Sequence, residues 1–180
     1  MRPIELRFAG LNSYRQEQII DFTVLGAANL FGVFGPTGAG KSTILDAITL
    51  ALFSKVGRAH KGTQAIINQQ ENETTVSFKF SLGSGERKEV FQVERRYRRN
   101  KSATATEFSA KSVTSRLVRL CGESGQPDSV LADQDEKVNN KIEEFLGLDL
   151  KDFSRAVALP QGKLGWCHRA SSNNRCCCSS

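Results

Sequence analysis

The stretch Gly35-Pro36-Thr37-Gly38-Ala39-Gly40-Lys41-Ser42 constrains this chain more than any other. It matches G-x-x-x-x-G-K-[ST], and each fixed position has a physical task. Glycines reach positive φ and let the backbone approach an anion without a Cβ in the way. Successive N–H groups can then converge as an anion nest. Ile44, Leu45, Ile48 and Leu52 follow at helical spacing and predict a helix from Lys41 to Phe53. Its first turn adds the positive end of a helix dipole. Lys41 is suited to β- and γ-phosphates, and the Ser42 hydroxyl to Mg²⁺. Asn29–Gly35, "NLFGVFG", is a nearly continuous apolar run, the pattern of a strand buried on both faces. A strand before and a helix after separate a phosphate-binding turn from a chance glycine-rich one. With glycine near ~7% of residues, the four fixed positions coincide by chance in well under ~1% of chains this long.

The 180 residues suffice for one domain with a sizeable core. The net charge of +6 favours an anionic partner. No apolar run approaches the ~18 residues of a membrane span, and the N-terminus lacks the apolar core of a signal peptide. A cytoplasmic protein is expected. Cys121 stands alone, while Cys167, Cys176, Cys177 and Cys178 crowd the end. A zinc site would need two separated Cys/His pairs on rigid turns. Residues 165–180 are expected to be a disordered or artefactual tail.

Alternation predicts two strands in Ile4–Tyr14 and Gln18–Leu25. "TTVSFKFSL" and "KEVFQVERRYRR" form a hairpin pattern around "GSGE", and "SVTSRLVRLCG" reads as a further strand. An antiparallel sheet over about residues 74–122 follows. Asp133–Gly147 reads as a helix with Val138, Ile142 and Phe145 on one face, Asp133 as its cap and Gly147 as its end. Asp149–Leu159 reads as another, stopped by Pro160.

Among phosphate-binding folds, a GTPase should carry N-K-x-D. The nearest match, Asn140-Lys141-Ile142-Glu143, has the wrong acid and lies inside a predicted helix. A metabolic kinase or a transporter ATPase remains an alternative, with "ERRYRRNK" as a conceivable lid. Gln161, in "LPQGK", offers a carbonyl oxygen suited to Mg²⁺.

Three blocks together resemble the N-terminal ATPase segment of the SbcC family, SMC-like ATPases of double-strand-break repair. They are "MRPIELRFAGLNSYRQEQIIDF", "LFGVFGPTGAGKSTILDAITLALFSKV" and "VLADQDEKVNNKIEEFLGLDLKDFSRAVALPQGKL". The resemblance covers about residues 1–164. It implies an α/β P-loop fold, the N-terminal lobe of an ABC-ATPase head, with the antiparallel sheet as an inserted β-subdomain. It implies ATP and Mg²⁺ as cofactors. Arg15 would approach the phosphates, Gly35, Pro36, Thr37, Gly38, Ala39, Gly40, Lys41, Ser42 and Thr43 would bind the nucleotide, and Ser42 and Gln161 would serve the metal. Thr37 stands where relatives often have asparagine.

The family further implies a C-terminal ATPase lobe, a second head, an SbcD-type nuclease subunit and double-stranded DNA as partners, with no membrane and a nucleoid-associated location. The Walker B acids, the signature motif and the coiled coil are not found in this sequence. The chain alone is therefore expected to be inactive in turnover. Arg96 and Arg98 share one strand face and are candidate DNA contacts, against the alternative of a charge-guarded edge strand.

Overall fold

The computed structural model describes residues 1–25, 31–57, 66–100, 110–121 and 126–156. Six strands, β1 (Arg2–Ala9), β2 (Gln18–Asp21), β3 (Glu73–Leu82), β4 (Glu89–Arg99), β5 (Ala110–Cys121) and β6 (Gln126–Ala132), form one sheet. Every pairing is antiparallel, in the order β2-β1-β3-β4-β5-β6. Three helices accompany it: α1 (Lys41–Phe53), α2 (Asp135–Leu146) and α3 (Leu150–Ala156). The sheet thus extends beyond residues 74–122 on both sides, because β1 pairs with β3 and β6 with β5.

Alternation decides which face is buried. Leu6 and Phe8 of β1, Val76, Phe78 and Phe80 of β3, Phe91 and Val93 of β4 and Leu117 of β5 all point into one core. Directly paired residues share a face, so Phe78 meets Val93 and Phe80 meets Phe91 across the ladder. Val138 and Ile142 of α2, four apart, close part of the core, and Phe153 of α3 lies 5.4 Å from the Phe53 ring of α1. From Asp46 to Phe53 α1 is buried at every position, so it carries more than the single apolar stripe its spacing suggests. The opposite sheet face carries Glu5, Arg7, Lys79, Glu94, Arg96 and Arg98.

Helix ends follow local chemistry. Gly147 takes the left-handed conformation expected of a C-terminal cap. Asp133 does not cap α2. That position falls to Gln134, and Asp135 enters the first turn, where its charge suits the dipole. The end of α1 is unusual, since its cap, Ser54, is a non-glycine residue at φ 61°.

What holds Ser54 there is a buried polar cluster. The Arg95 side chain is fully buried and projects from β4 at the end of α1. It donates through Nε to the Ala51 carbonyl at 2.6 Å and through Nη2 to the Leu52 carbonyl at 3.0 Å. Its other donors reach Asp135 Oδ1 at 2.6 Å and Asn139 Oδ1 at 2.7 Å, both on α2. Ser54 Oγ donates to Asp135 Oδ2 at 2.7 Å and lies 2.8 Å from the Tyr97 hydroxyl. One guanidinium therefore satisfies carbonyls that a helix end leaves unpaired and ties β4, α1 and α2 together. Among the described residues, no buried side-chain nitrogen or oxygen lacks a partner.

Burial alone would raise the Asp135 carboxyl, but hydrogen bonds from Ser115 and Ser54 and the Arg95 charge outweigh it and hold it below the ordinary value of 3.8. Burial pushes the Tyr97 phenol up to about 12. The carboxylate's contribution to stability is thus complete above the unfolded value and drains away as pH falls through the lowered folded one. Urea titrations between pH 7 and pH 2 should show a steeper acid loss in the wild type than in Asp135→Asn. Arg95→Met should cost about 3 kcal/mol at pH 7, the low end for a broken buried pair, because Asp135 keeps 37% of its side chain exposed. A loss below about 0.5 kcal/mol would show that the cluster is dispensable.

Candidate phosphate-binding site

The segment leading into the glycine-rich turn departs from expectation. Among the described residues, 31–36 form no strand, and Phe34 is 92% exposed. Phe31 and Val33 are exposed as well. An apolar run is buried on both faces only when layers cover both faces. Here the six strands form one sheet that does not include this run, and the Phe31 ring lies 5.3 Å from that of the buried Phe22.

The turn itself has the conformation its glycines permit. Gly38 sits at φ 85° and Gly40 at φ 77°, and α1 starts at the next residue. Ala39 N–H donates to the Pro36 carbonyl at 3.3 Å, and Thr43 N–H to the Gly40 carbonyl at 2.9 Å. Among the described residues, the N–H groups of Thr37, Gly38, Gly40, Lys41 and Ser42 meet no backbone acceptor. The Lys41 ammonium folds over the turn, 2.7 Å from the Gly35 carbonyl and 2.6 Å from the Pro36 carbonyl. Unspent amides, a helix N-terminus and an ammonium thus lie on one exposed loop, which fits a phosphate chain. Thr43 differs: its side chain is buried and its hydroxyl accepts from Asn12 Nδ2 at 3.5 Å.

A strap between β1 and β2 braces this turn. Asn12 adopts φ 49°, a conformation asparagine tolerates. Its Nδ2 reaches Asp46 Oδ2 of α1 at 3.2 Å, and its carbonyl accepts from Asn68 Nδ2 at 2.6 Å. Tyr14 donates from its hydroxyl to the Ala39 carbonyl at 3.2 Å. Its ring lies edge-on to Phe8 at 5.3 Å and fills the space beside Gly40. Asn12, Tyr14 and Asp46 were not singled out by sequence reasoning. The one signal was an acid, Asp46, within an otherwise apolar helical run.

Arg15 leaves the same strap and pairs with Glu71, Nε to Oε1 at 3.1 Å, on the exposed surface. Arg96 and Arg98 do share the open sheet face, and both guanidinia engage Glu73, Arg98 Nε at 2.8 Å from Oε1. Hydrogen bonds from Arg98 and then Arg96 hold the Glu73 carboxyl below its ordinary range. β4 lies between β3 and β5, so it is not an edge strand. Nor is "ERRYRRNK" a lid, since Arg95 and Tyr97 are core residues and Arg99 donates to the Asn68 carbonyl at 2.8 Å. Gln161 and the cysteines from Cys167 onward lie outside the described residues. Among the described residues, no group of three His, Cys, Asp or Glu is placed to hold a metal, and no helix is long and apolar enough to cross a membrane.

Residues 5–175 match the AAA domain family. The chain belongs to that family. It is 46% identical over 163 residues to the SbcC component of the SbcCD nuclease of Bacillus subtilis, and 43% identical over 164 residues to its counterpart in Clostridium acetobutylicum. It is 37% identical over 177 residues to a probable DNA double-strand break repair Rad50 ATPase of Aquifex aeolicus. These alignments cover 91%, 91% and 97% of this chain, but only 14%, 13% and 16% of the relatives. The chain therefore resembles an N-terminal segment of such proteins. The antiparallel six-stranded sheet with its few helices is consistent with an α/β P-loop ATPase lobe.

Gly38 and Gly40 should respond differently to a methyl group. At Gly38 a Cβ meets nothing within 4 Å, so Gly38→Ala carries only the strain of positive φ, about 1 kcal/mol. At Gly40 a Cβ would stand 2.5 Å from the Tyr14 hydroxyl oxygen. Gly40→Ala should lower the melting temperature clearly more than Gly38→Ala. Equal shifts would mean that Tyr14 does not brace the turn.

Proposed function

We propose that this chain is the ATP-binding N-terminal lobe of an SbcC-type DNA-repair ATPase. The observation that carries the reading is the group of unspent amides at Gly38, Gly40, Lys41 and Ser42, opening onto solvent beside the Lys41 ammonium. The Lys41 side chain would exchange the Gly35 and Pro36 carbonyls for β- and γ-phosphate oxygens, a stronger, charge-assisted pairing. Arg15 would exchange Glu71 for phosphate in the same way, and Ser42 with Gln161 would hold Mg²⁺. A bound Mg²⁺ would offset phosphate charge.

Turnover needs an acid to position water and metal. We assign that acid to a C-terminal lobe, with which the exposed Phe31, Val33 and Phe34 segment would pack. In the complete assembly two heads would close on ATP and gate a nuclease partner's access to double-stranded DNA ends. The names of the relatives, a nuclease component and a double-strand break repair ATPase, support this reading. A metabolic kinase or transporter module is the less favoured alternative, because the arginines of β4 belong to a rigid sheet.

Titration of the pure chain with a fluorescent ATP analogue and Mg²⁺ should give saturable binding that Lys41→Ala removes, without measurable phosphate release. Absence of binding by the wild-type chain would refute the assignment. For DNA, Arg96→Ala with Arg98→Ala should weaken binding and reduce the salt slope by roughly 2. Glu73→Gln should tighten it, because that carboxylate now occupies both guanidinia. Unchanged affinity in both variants would place the DNA contact elsewhere.

A further inference from the structure

We infer that Tyr14 is a positioning residue for the anion nest, acting through the peptide that joins Ala39 to Gly40; the inference rests on the nucleotide-binding reading above. In a planar trans peptide the carbonyl and the N–H point in opposite directions. Tyr14 Oη donates to the Ala39 carbonyl at 3.2 Å, from a ring that packs on Phe8 of β1. Fixing that carbonyl fixes the Gly40 N–H on the other side, among the amides that meet no backbone acceptor. Without the hydroxyl the 39–40 peptide is free to rotate, since Gly40 populates many φ values.

Tyr14 is itself held firmly enough to act as a brace. Its ring stacks edge-on against Phe8, a core residue of β1, with centroids 5.3 Å apart. Its backbone N–H donates to the Leu11 carbonyl at 2.9 Å. Two residues earlier, Asn12 ties the strap to Asp46 of α1 at 3.2 Å. The strap is thus attached to the helix that opens the nest and to the sheet behind it. The ring fills the position a Cβ at residue 40 would occupy, so tyrosine and glycine are matched across the contact.

The test is Tyr14→Phe, which removes one oxygen and keeps the ring. Nitrogen-15 spectra of the full chain follow the Gly40 amide while MgATP is added, and the titration gives the affinity. Tyr14→Phe should melt within about 1 °C of the wild type, because a solvent-edge hydrogen bond is worth little to stability. It should nonetheless bind MgATP about fivefold more weakly, with a smaller nucleotide-induced shift at Gly40. If the wild type responds and Tyr14→Phe matches it in affinity and in the Gly40 shift, the positioning role is overturned while the nucleotide reading stands. If the wild-type Gly40 amide does not respond to MgATP at all, the nucleotide reading fails and takes this inference with it. Lys41→Ala serves as the control that loses affinity while leaving the Tyr14 contact intact.

Discussion

The fully buried guanidinium of Arg95 is the constraint around which the rest is arranged. A charge in that position is tolerable only if nearly every donor is answered and a counter-charge lies close. The Ala51 and Leu52 carbonyls, Asp135 and Asn139 meet that requirement from two different helices. The cluster therefore fixes where α1 stops and where α2 starts, and both positions are measured from β4. The other end of α1 is the glycine-rich turn, so the sheet locates that turn through the helix that follows it.

The turn is held from two directions. Behind it, Asn12 and Tyr14 engage α1 and the Ala39 carbonyl. In front, Lys41 bridges the Gly35 and Pro36 carbonyls. The first set comes from a strap tied to the buried Asp46 and to the Phe8 ring, and the second from a long exposed side chain. That difference suits a site in which the scaffold stays fixed and one ammonium changes partner. The open sheet face is similar, because Arg96 and Arg98 already share one carboxylate.

Much of this was legible in the residues. The alternation in β3 and β4 marked both the strands and their inward faces, and the helical spacing after Lys41 matched α1 to the residue. Gly147 ended α2 as its chemistry predicts. The failures have physical causes. The run at Asn29–Gly35 looked doubly buried because apolar composition reports a preference for cover, not its presence. β6 escaped notice because Pro127 and Asp128 interrupt its pattern. Arg95 has the inward parity of Phe91 and Val93, but a charge on that face can be buried only with partners that the strand itself does not supply. Its partners Asp135 and Asn139 lie some forty residues away, and only the fold brings them together. Tyr14 was missed for the same reason, its partner being 25 residues distant.

The order of the strands has a consequence for how the chain acquires this shape. β1 pairs not only with β2 but also with β3, which begins more than sixty residues later. The residues that end α1 are distant too, Arg95 44 residues from Ala51 and Asp135 81 from Ser54. In N-to-C order the strap with Asn12 and Tyr14 comes before the glycine-rich turn, but the residues that fix the far end of α1 come long after it. Four of the five pairings join strands consecutive in the chain, and the β1–β3 pairing alone closes a long loop, an entropic cost the hairpins do not carry. The glycine-rich turn is consequently braced from one side by residues made before it and from the other by residues made well after it.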